Sequence, residues 1–103
     1  VGFDPGRSRG ITGFIDLVTK LEKLGLQANA HAWSSSIVTA ASLSVSFRSK
    51  ACKVFEFKPL RNPIQDDLIS TPINHKDGWV YRLNSPGLGI EINEDYVKSI
   101  EYI

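Results

Sequence analysis

The stretch Leu26-Gln27-Ala28-Asn29-Ala30-His31 alternates apolar and polar side chains without interruption. Such a period of two predicts a β-strand that buries one of its faces. The apolar residues share one face, and Gln27, Asn29 and His31 share the other. The elements on either side of this strand indicate which kind of sheet it joins.

A predicted helix lies on each side of the strand. Before it, Thr12 can cap a helix in which apolar residues recur at helical spacing up to Leu24, and Gly25 then provides a stop. After it, the cluster Ser34-Ser35-Ser36 can cap a second helix that runs to about Phe47. This second helix is apolar nearly all round, which predicts that it is largely buried.

Two further short apolar runs, residues 1–3 and 54–57, complete the order strand, helix, strand, helix, strand. That order predicts parallel strands joined by right-handed crossovers. Three strands would leave open sheet edges, whereas a closed barrel of this type takes eight strands and roughly 250 residues. Because the 103-residue chain also contains no methionine and begins at Val1, we expect it to be the end of a larger α/β protein.

The pattern changes after residue 58, where prolines predict an irregular segment. The predicted elements beyond this point are short: a helical turn at 66–69, strands at 79–83 and 90–92, and a last helix capped by Asn93. We therefore divide the chain into residues 1–58, which carry the strand–helix units, and residues 59–103, a C-terminal tail.

Composition and charge exclude several classes of partner. The 12 basic and 11 acidic residues give a net charge of +1, so there is no electrostatic reason to expect nucleic acid or an acidic membrane surface as a partner. No apolar run is long enough to span a bilayer. The single cysteine, Cys52, excludes an internal disulfide, fits a reducing cytoplasm and is expected to be a small buried side chain.

Three polar residues stand at matching positions in the predicted strands. Asp4, His31 and Glu56 each lie at or near the C-terminal end of a strand, separated by 27 and then 25 residues. In a parallel barrel those strand ends line one mouth, where active sites sit. We therefore expect the three side chains to meet. A structural role stays open for each of them, since a lone histidine is more often structural and Glu56 can form a buried structural pair.

These residue types suit a proton-transfer site. An imidazole takes or gives a proton near neutral pH. A neighbouring carboxylate fixes the tautomer of the imidazole and stabilises its charged form. A second carboxyl group in a dry pocket can remain protonated and donate a hydrogen bond to a developing oxyanion. An acid, an imidazole and a second acid at one mouth therefore make an acid–base hypothesis.

The order of short motifs along the chain extends this hypothesis. The motifs are D-P-G-R-S-R-G-I-T-G from Asp4, A-H-A-W from Ala30, F-E-F from Phe55, D-D-L from Asp66, D-G from Asp77 and P-G-L-G-I-E from Pro86. In this order they resemble the enolase superfamily, and within it the mandelate racemase type of the mandelate racemase/muconate lactonizing enzyme family. The resemblance covers essentially the whole chain and corresponds to the C-terminal portion of such an enzyme.

The resemblance implies a (β/α)7β TIM-like barrel, of which this chain supplies strands six to eight and a tail that packs on a separate N-terminal capping domain. It implies that His31 is the general base, paired with Asp4, and that Glu56 hydrogen-bonds the substrate carboxylate as it becomes an enediolate. Arg7 and Trp33 are candidate substrate-binding residues. The resemblance also implies Mg²⁺ in the parent enzyme, with its ligands outside this chain, so no metal-binding residue is predicted here.

Three features depart from the family pattern. Arg9 replaces the first glycine of the usual pair, which predicts an altered turn, and Ala30 stands where proline or serine commonly precedes the histidine. The gap between His31 and Glu56 is also a few residues longer than in mandelate racemase itself. None of these differences removes a side chain to which the resemblance assigns a catalytic role.

The reaction implied is abstraction of the proton next to a carboxylate. The leading hypothesis is a fragment of a Mg²⁺-dependent acid-sugar dehydratase, and a racemase or epimerase of the same family is the alternative; the fragment alone is expected to be inactive. A hypothesis of another class is a truncated, non-catalytic remnant that self-associates through its open edges. The expected partners are a carboxylic-acid substrate such as an acid sugar and either further copies of the chain or the N-terminal part of the parent.

Overall fold

The computed structural model describes residues 1–101 and has an α/β fold. Its strands are β1 (Gly2–Phe3), β2 (Ala28–Ala32), β3 (Cys52–Phe57), β4 (His75–Lys76) and β5 (Trp79–Val80). Its helices are α1 (Gly10–Lys23), α2 (Ser36–Arg48), α3 (Pro63–Asp66) and α4 (Glu94–Ser99). The first five elements alternate between strand and helix, which confirms the order predicted from the sequence.

The first three strands form one parallel sheet in the order β1-β2-β3. Phe3 pairs with Ala30 in the first ladder, and His31 pairs with Glu56 in the second. Since α1 and α2 connect these strands, consecutive strands lie side by side and all end at the same edge of the sheet. This arrangement confirms the parallel strands and helical crossovers that the sequence predicts.

Helix α1 begins before its predicted cap. The prediction that Thr12 caps this helix is wrong, because the N-cap is Arg9, whose φ of 62° and ψ of 41° are left-handed. Gly10 has a positive φ as well, and its N–H donates to the Pro5 carbonyl at 2.9 Å. The loop thus turns into the helix through two left-handed residues, and Thr12 falls inside the first turn.

The end of α1 agrees with the prediction. Gly25 has a φ of 67° and donates its N–H to the Glu22 carbonyl, while the Leu26 N–H donates to the Leu21 carbonyl. These two bonds form a Schellman motif, in which glycine is favoured because it adopts a positive φ without steric cost. The backbone N–H of Leu26 belongs to this motif, and the residue is 49% exposed. Leu26 therefore does not join the buried face of β2.

The alternation predicted for β2 is otherwise present. Ala28, Ala30 and Ala32 are at most 2% exposed, whereas the residues between them are half-buried. The alanines face a cluster that includes Phe14 and Val18 of α1, and the ring of Phe3 meets that of Phe14 edge to face at 5.0 Å. This cluster fixes α1 against the sheet and places the polar face of β2 on the opposite side.

Helix α2 is capped by Ser35, whose hydroxyl accepts a hydrogen bond from the Val38 N–H at 3.4 Å. This confirms that the serine cluster starts the helix. Most of α2 is buried, as predicted, but its last turn is not. Phe47 is 51% exposed and lines an open groove together with Val54 of β3 and Trp79 of β5.

The C-terminal tail packs on α2. Ile69 and Ile73 form a second apolar cluster with Ala40 and Leu43 of that helix. A buried hydrogen bond of 2.9 Å joins the Thr39 hydroxyl of α2 to the Gln65 side chain of α3. The tail is thus attached to the second strand–helix unit. The division of the chain at residue 58, and a contact between the tail and a capping domain, stay predictions.

One short helix of the tail lies elsewhere than predicted, and another agrees. The helical turn expected at 66–69 lies at Pro63–Asp66, because the Asn62 side chain accepts the Ile64 N–H at 3.3 Å and proline suits the first helical position. Asn93 caps α4 as predicted by accepting the Tyr96 N–H at 3.2 Å.

The predicted strands of the tail are shorter than expected. The strand placed at 79–83 ends at Val80, because the hairpin of β4 and β5 contains two residue pairs. The strand placed at 90–92 is reduced to one bridge between Ile92 and Ile69. An apolar run therefore overestimates strand length where a partner strand is absent.

Two expectations based on composition can be compared with the structure. Cys52, predicted to be buried, is half-buried at the start of β3 and packs against the cluster around Phe14. Within residues 1–101, no helix is both long and apolar enough to cross a membrane.

Candidate active site

The candidate site is an open cleft at the C-terminal ends of β1, β2 and β3. Asp4 directly follows β1, and His31 and Glu56 each stand one residue before the end of their strands. The cleft has a volume of about 520 Å³ and is lined by Asp4, Gly6, Arg7, His31, Trp33, Ser34, Val38 and Glu56. The structure thus brings together the three polar residues that were expected to meet.

One ring nitrogen of His31 faces Asp4. The distance from His31 Nδ1 to Asp4 Oδ2 is 3.6 Å, and the Asp4 side chain is 12% exposed. The other oxygen of this carboxylate accepts the backbone N–H of Arg7 at 3.2 Å. The separation is a few tenths of an ångström beyond a hydrogen bond, and catalytic contacts are commonly long in a ligand-free enzyme. Asp4 is therefore placed to orient the imidazole.

The other ring nitrogen faces Glu56. His31 Nε2 lies 3.3 Å from Glu56 Oε2, and the Glu56 side chain is 42% exposed. A neutral imidazole donates from one nitrogen only, whereas an imidazolium donates from both. Each ring nitrogen of His31 thus faces its own carboxylate, Nδ1 facing Asp4 and Nε2 facing Glu56.

A hydrogen bond from helix α2 stabilises the backbone at His31. The Ser42 hydroxyl donates to the His31 carbonyl at 2.9 Å, and Ser42 is fully buried. This bond satisfies a carbonyl at the end of β2 and fixes the distance between the strand and the helix. No pattern in the sequence indicates this bond, because Ser42 is one of several small residues on a helix that is predicted to be buried.

Arg7 and Trp33, the predicted substrate-binding residues, both border the cleft. Trp33 is 50% exposed, so its packing within the chain leaves half of its surface free. Among residues 1–101, no carboxylate lies within ion-pair distance of the Arg7 guanidinium. An available guanidinium and an aromatic surface thus flank the acid–base residues.

Several residues that shape the cleft were not singled out by the sequence pattern. Gly6 and Val38 line it, and Ser34 does as well, although the serine cluster predicts a helix cap. Gly2 lies close to the imidazole. The signal for Gly2 was present, because a period of two places it on the same face of β1 as Asp4.

A metal site is not formed by the residues present. Asp4 and Glu56 both face His31, and in the part of the chain that the structure describes no group of three or more histidine, cysteine or acidic side chains is arranged to hold a metal ion. Mg²⁺ is held by oxygen ligands in near-octahedral geometry, and the two carboxylates of the cleft lie at opposite nitrogens of the His31 ring. His75, the second histidine, is exposed on β4 and lies outside the cleft.

The sequence of residues 1–96 matches the family model described as the enolase C-terminal domain-like family of mandelate racemase and muconate lactonizing enzymes. The chain belongs to this family. The resemblance drawn from the motifs is thereby confirmed, including its restriction to the C-terminal portion of an enolase-superfamily protein. Among curated proteins, no sequence matches the chain.

Solved structures share the fold of this chain. The chain is similar to an assigned mandelate racemase/muconate lactonizing enzyme from Labrenzia alexandrii DFL-11, with a TM-score of 0.85 and 24% identity over 98% of this chain and 26% of that one. It is also similar to an assigned mandelate racemase from Bordetella bronchiseptica RB50, with a TM-score of 0.83 and 28% identity over 91% of this chain and 24% of that one.

A third similar structure is an assigned mandelate racemase from Bordetella bronchiseptica RB50 complexed with 2-oxoglutarate/phosphate. Its TM-score is 0.82, with 26% identity over 91% of this chain and 25% of that chain. The chain therefore spans about a quarter of the length of the solved structures that it matches. What these comparisons establish is the α/β fold of the C-terminal domain of mandelate racemase-like enzymes.

Proposed function

We propose that this chain is the acid–base portion of an enolase-superfamily enzyme that abstracts the proton next to a substrate carboxylate. The observation that carries the proposal is the position of the His31 imidazole, between the Asp4 and Glu56 carboxylates in an open cleft at the C-terminal strand ends. Membership of the mandelate racemase/muconate lactonizing enzyme family supports this proposal, because the match covers residues 1–96 and so includes all three of these residues.

In the proposed reaction His31 is the general base. Asp4, nearly buried and itself held by a backbone N–H, keeps a proton on Nδ1 and so leaves the lone pair on Nε2. Nε2 is then the atom that takes the substrate proton. Asp4 also stabilises the imidazolium that results, because an opposite charge lies next to the ring.

Glu56 acts on the substrate carboxylate in this proposal. An ionised Glu56 would repel a second carboxylate, so in this proposal Glu56 takes up a proton when the substrate binds, and the neighbouring His31 Nε2, 3.3 Å away, is the group that supplies it. The protonated Glu56 then donates a hydrogen bond to the oxygen on which negative charge develops. Movement of this proton also frees Nε2 to act as the base.

The substrate class is a carboxylic acid with further polar groups, such as an acid sugar. Arg7 supplies a guanidinium that pairs well with a carboxylate, and Trp33 offers a half-exposed ring against which a sugar carbon skeleton can pack. Arg7 and Trp33 are thus proposed to position the substrate, and Asp4, His31 and Glu56 to perform the proton transfer.

We propose that the complete protein is a (β/α)7β barrel in which residues 1–58 are the last strand–helix units and residues 59–103 the tail. The similar structures are about four times as long as this chain, and both outer strands of its parallel sheet are open. Val54 on β3 is 67% exposed and Trp79 beside it is 70% exposed. The missing part of the barrel, with the capping domain, would cover this surface and supply the ligands for Mg²⁺.

Dehydration and racemisation begin with the same proton abstraction but give different products. One experiment that identifies the product therefore distinguishes them. The complete protein is incubated with Mg²⁺ in deuterated water and a panel of acid sugars and mandelate, and the products are followed by NMR. Loss of water with formation of a keto acid assigns a dehydratase. Deuterium at the α-carbon with inversion assigns a racemase or epimerase. No α-exchange with any carboxylic acid, together with self-association of the complete protein through its exposed apolar surface, would contradict the proposal and favour a non-catalytic remnant.

A further inference from the structure

The His31 imidazole leans over Gly2. A Cβ atom added at Gly2 would lie 2.5 Å from His31 Nε2 and 3.3 Å from His31 Cε1. Gly2 pairs with Asn29 across the β1–β2 ladder, so it stands beside β2 two residues before the level of His31. The ring therefore occupies the volume that a side chain at position 2 would otherwise fill.

The same ring position brings Nε2 to Glu56. His31 Nε2 is 3.3 Å from Glu56 Oε2, and it is the atom of His31 closest to the added Cβ. A side chain at position 2 would thus displace the nitrogen that is proposed to take the substrate proton. The three atoms nearest to the added Cβ include none from Asp4, the residue that faces Nδ1.

We propose that Gly2 is a positioning residue for the His31 imidazole. Because position 2 carries no side chain, the ring lies over β1 with Nε2 directed to Glu56. Ordinary contact begins at 3.4 Å, so a methyl group at position 2 displaces Nε2 by about 1 Å. A displacement of this size in a reacting group lowers a catalytic rate by on the order of 100-fold. The kinetic consequence rests on the proposed function, whereas the position of the ring does not.

The substitution Gly2→Ala isolates this effect because the backbone tolerates alanine. Gly2 is not among the glycines with positive φ, so alanine adopts its conformation without strain. The atoms that the new methyl group meets most closely belong to the end of a rotatable side chain. The fold is therefore expected to persist while the imidazole moves.

Gly6→Ala is the matched control. It adds the same methyl group to the same cleft, 3.0 Å from Asp4 Oδ1 and 3.9 Å from Val38 Cγ2, and no atom of the His31 ring within residues 1–101 lies within 4 Å of it. The two variants therefore share the added volume and differ in which side chain they press against.

The test uses the complete protein with ¹⁵N-labelled histidine and long-range ¹H–¹⁵N spectra at one pH. We expect Gly2→Ala to shift the His31 Nε2 signal more than the Nδ1 signal and to leave the His75 signals unchanged. In Gly6→Ala, whose methyl group meets Asp4 Oδ1, we expect the larger shift at Nδ1 instead. In α-proton exchange, Gly2→Ala is expected to lower kcat on the order of 100-fold with little change in KM. An unchanged Nε2 signal or an unchanged kcat in Gly2→Ala overturns the proposal, as does an equal shift in both variants.

A double-mutant cycle keeps the proposal testable if Gly2→Ala lowers stability. If the methyl group lowers stability by pressing on the imidazole, the loss of stability disappears in a His31→Ala background. A loss that persists without the imidazole overturns the proposal. If His31→Asn retains wild-type exchange, the proposed function fails, and the spectral test of Gly2 still stands.

Discussion

Replacing Arg9 with glycine is expected to stabilise the protein. Arg9 is the N-cap of α1 and has a φ of 62° and a ψ of 41°, the left-handed region in which a Cβ atom is crowded by the following carbonyl group. The motif that this segment resembles has a glycine at the corresponding position. Arg9 thus occupies a left-handed conformation that glycine adopts without steric cost.

The size of the effect follows from two opposing contributions. A left-handed conformation costs a non-glycine residue roughly 1–2 kcal/mol. Glycine raises the conformational entropy of the unfolded chain, which lowers stability by about 0.4–1 kcal/mol. The relief of strain is the larger of the two, so Arg9→Gly should raise the free energy of unfolding by about 0.5–1 kcal/mol. For a domain of this size that corresponds to a Tm higher by roughly 3–6 °C.

The assay is urea unfolding, followed by the fluorescence of Trp33 and Trp79. The midpoint for Arg9→Gly should move to higher urea at an unchanged slope, since the surface exposed on unfolding stays the same. Arg9→Ala is the control, because it removes the guanidinium but keeps the crowded Cβ, and its midpoint should remain near that of the wild type. Equal stabilisation by alanine, or no stabilisation by glycine, would refute backbone strain at residue 9.

Two further predictions concern the support of the sheet. Ser42→Ala should lower the free energy of unfolding by about 1–3 kcal/mol, because it leaves the His31 carbonyl without its donor; the exposed Ser44→Ala, measured alongside by urea unfolding, should change it by less than about 0.5 kcal/mol. Hydrogen bonds from the Ser49 hydroxyl and the following N–H hold the pKa of Glu22 below its ordinary value of 4.5. The pKa of Glu22 is lower in the folded protein than in the unfolded chain. Glu22 therefore stabilises the fold fully above the unfolded pKa, and this contribution is lost as the pH falls through the folded pKa. Glu22→Gln should therefore lessen the loss of stability below about pH 4.5 in a urea series, and an acid dependence equal to that of the wild type would contradict this.

The elements around the site follow from local patterns that the sequence displays. The alternation around Ala30 defines a strand with one buried face, and the helical spacing around Phe14 defines the crossover before it. When parallel strands end at one edge, polar residues at their ends must be neighbours. The convergence of Asp4, His31 and Glu56 could therefore be predicted without knowledge of any contact.

Other features depend on contacts between distant segments and could not be read locally. Thr12 satisfies the rule for a helix cap, but the hydrogen bond from Gly10 to Pro5 starts the helix earlier. The lean of the imidazole over Gly2 depends on the alignment of β1 with β2 and on the rotamer of His31, neither of which has a signature in the sequence. The strand predicted at 79–83 needs a partner strand to form. The β4–β5 hairpin provides pairing only for Trp79 and Val80, so the strand ends there.

The central claim is that His31 takes the proton next to the substrate carboxylate. Its most direct test is the rate of solvent deuterium exchange at the substrate α-carbon, measured by NMR for His31→Asn and His75→Asn in the complete protein. The same change at His75 is a matched control, because that histidine is exposed on β4 and does not line the cleft. We predict that exchange is abolished in His31→Asn and remains at the wild-type rate in His75→Asn. Wild-type exchange in folded His31→Asn would contradict the assignment of His31 as the base.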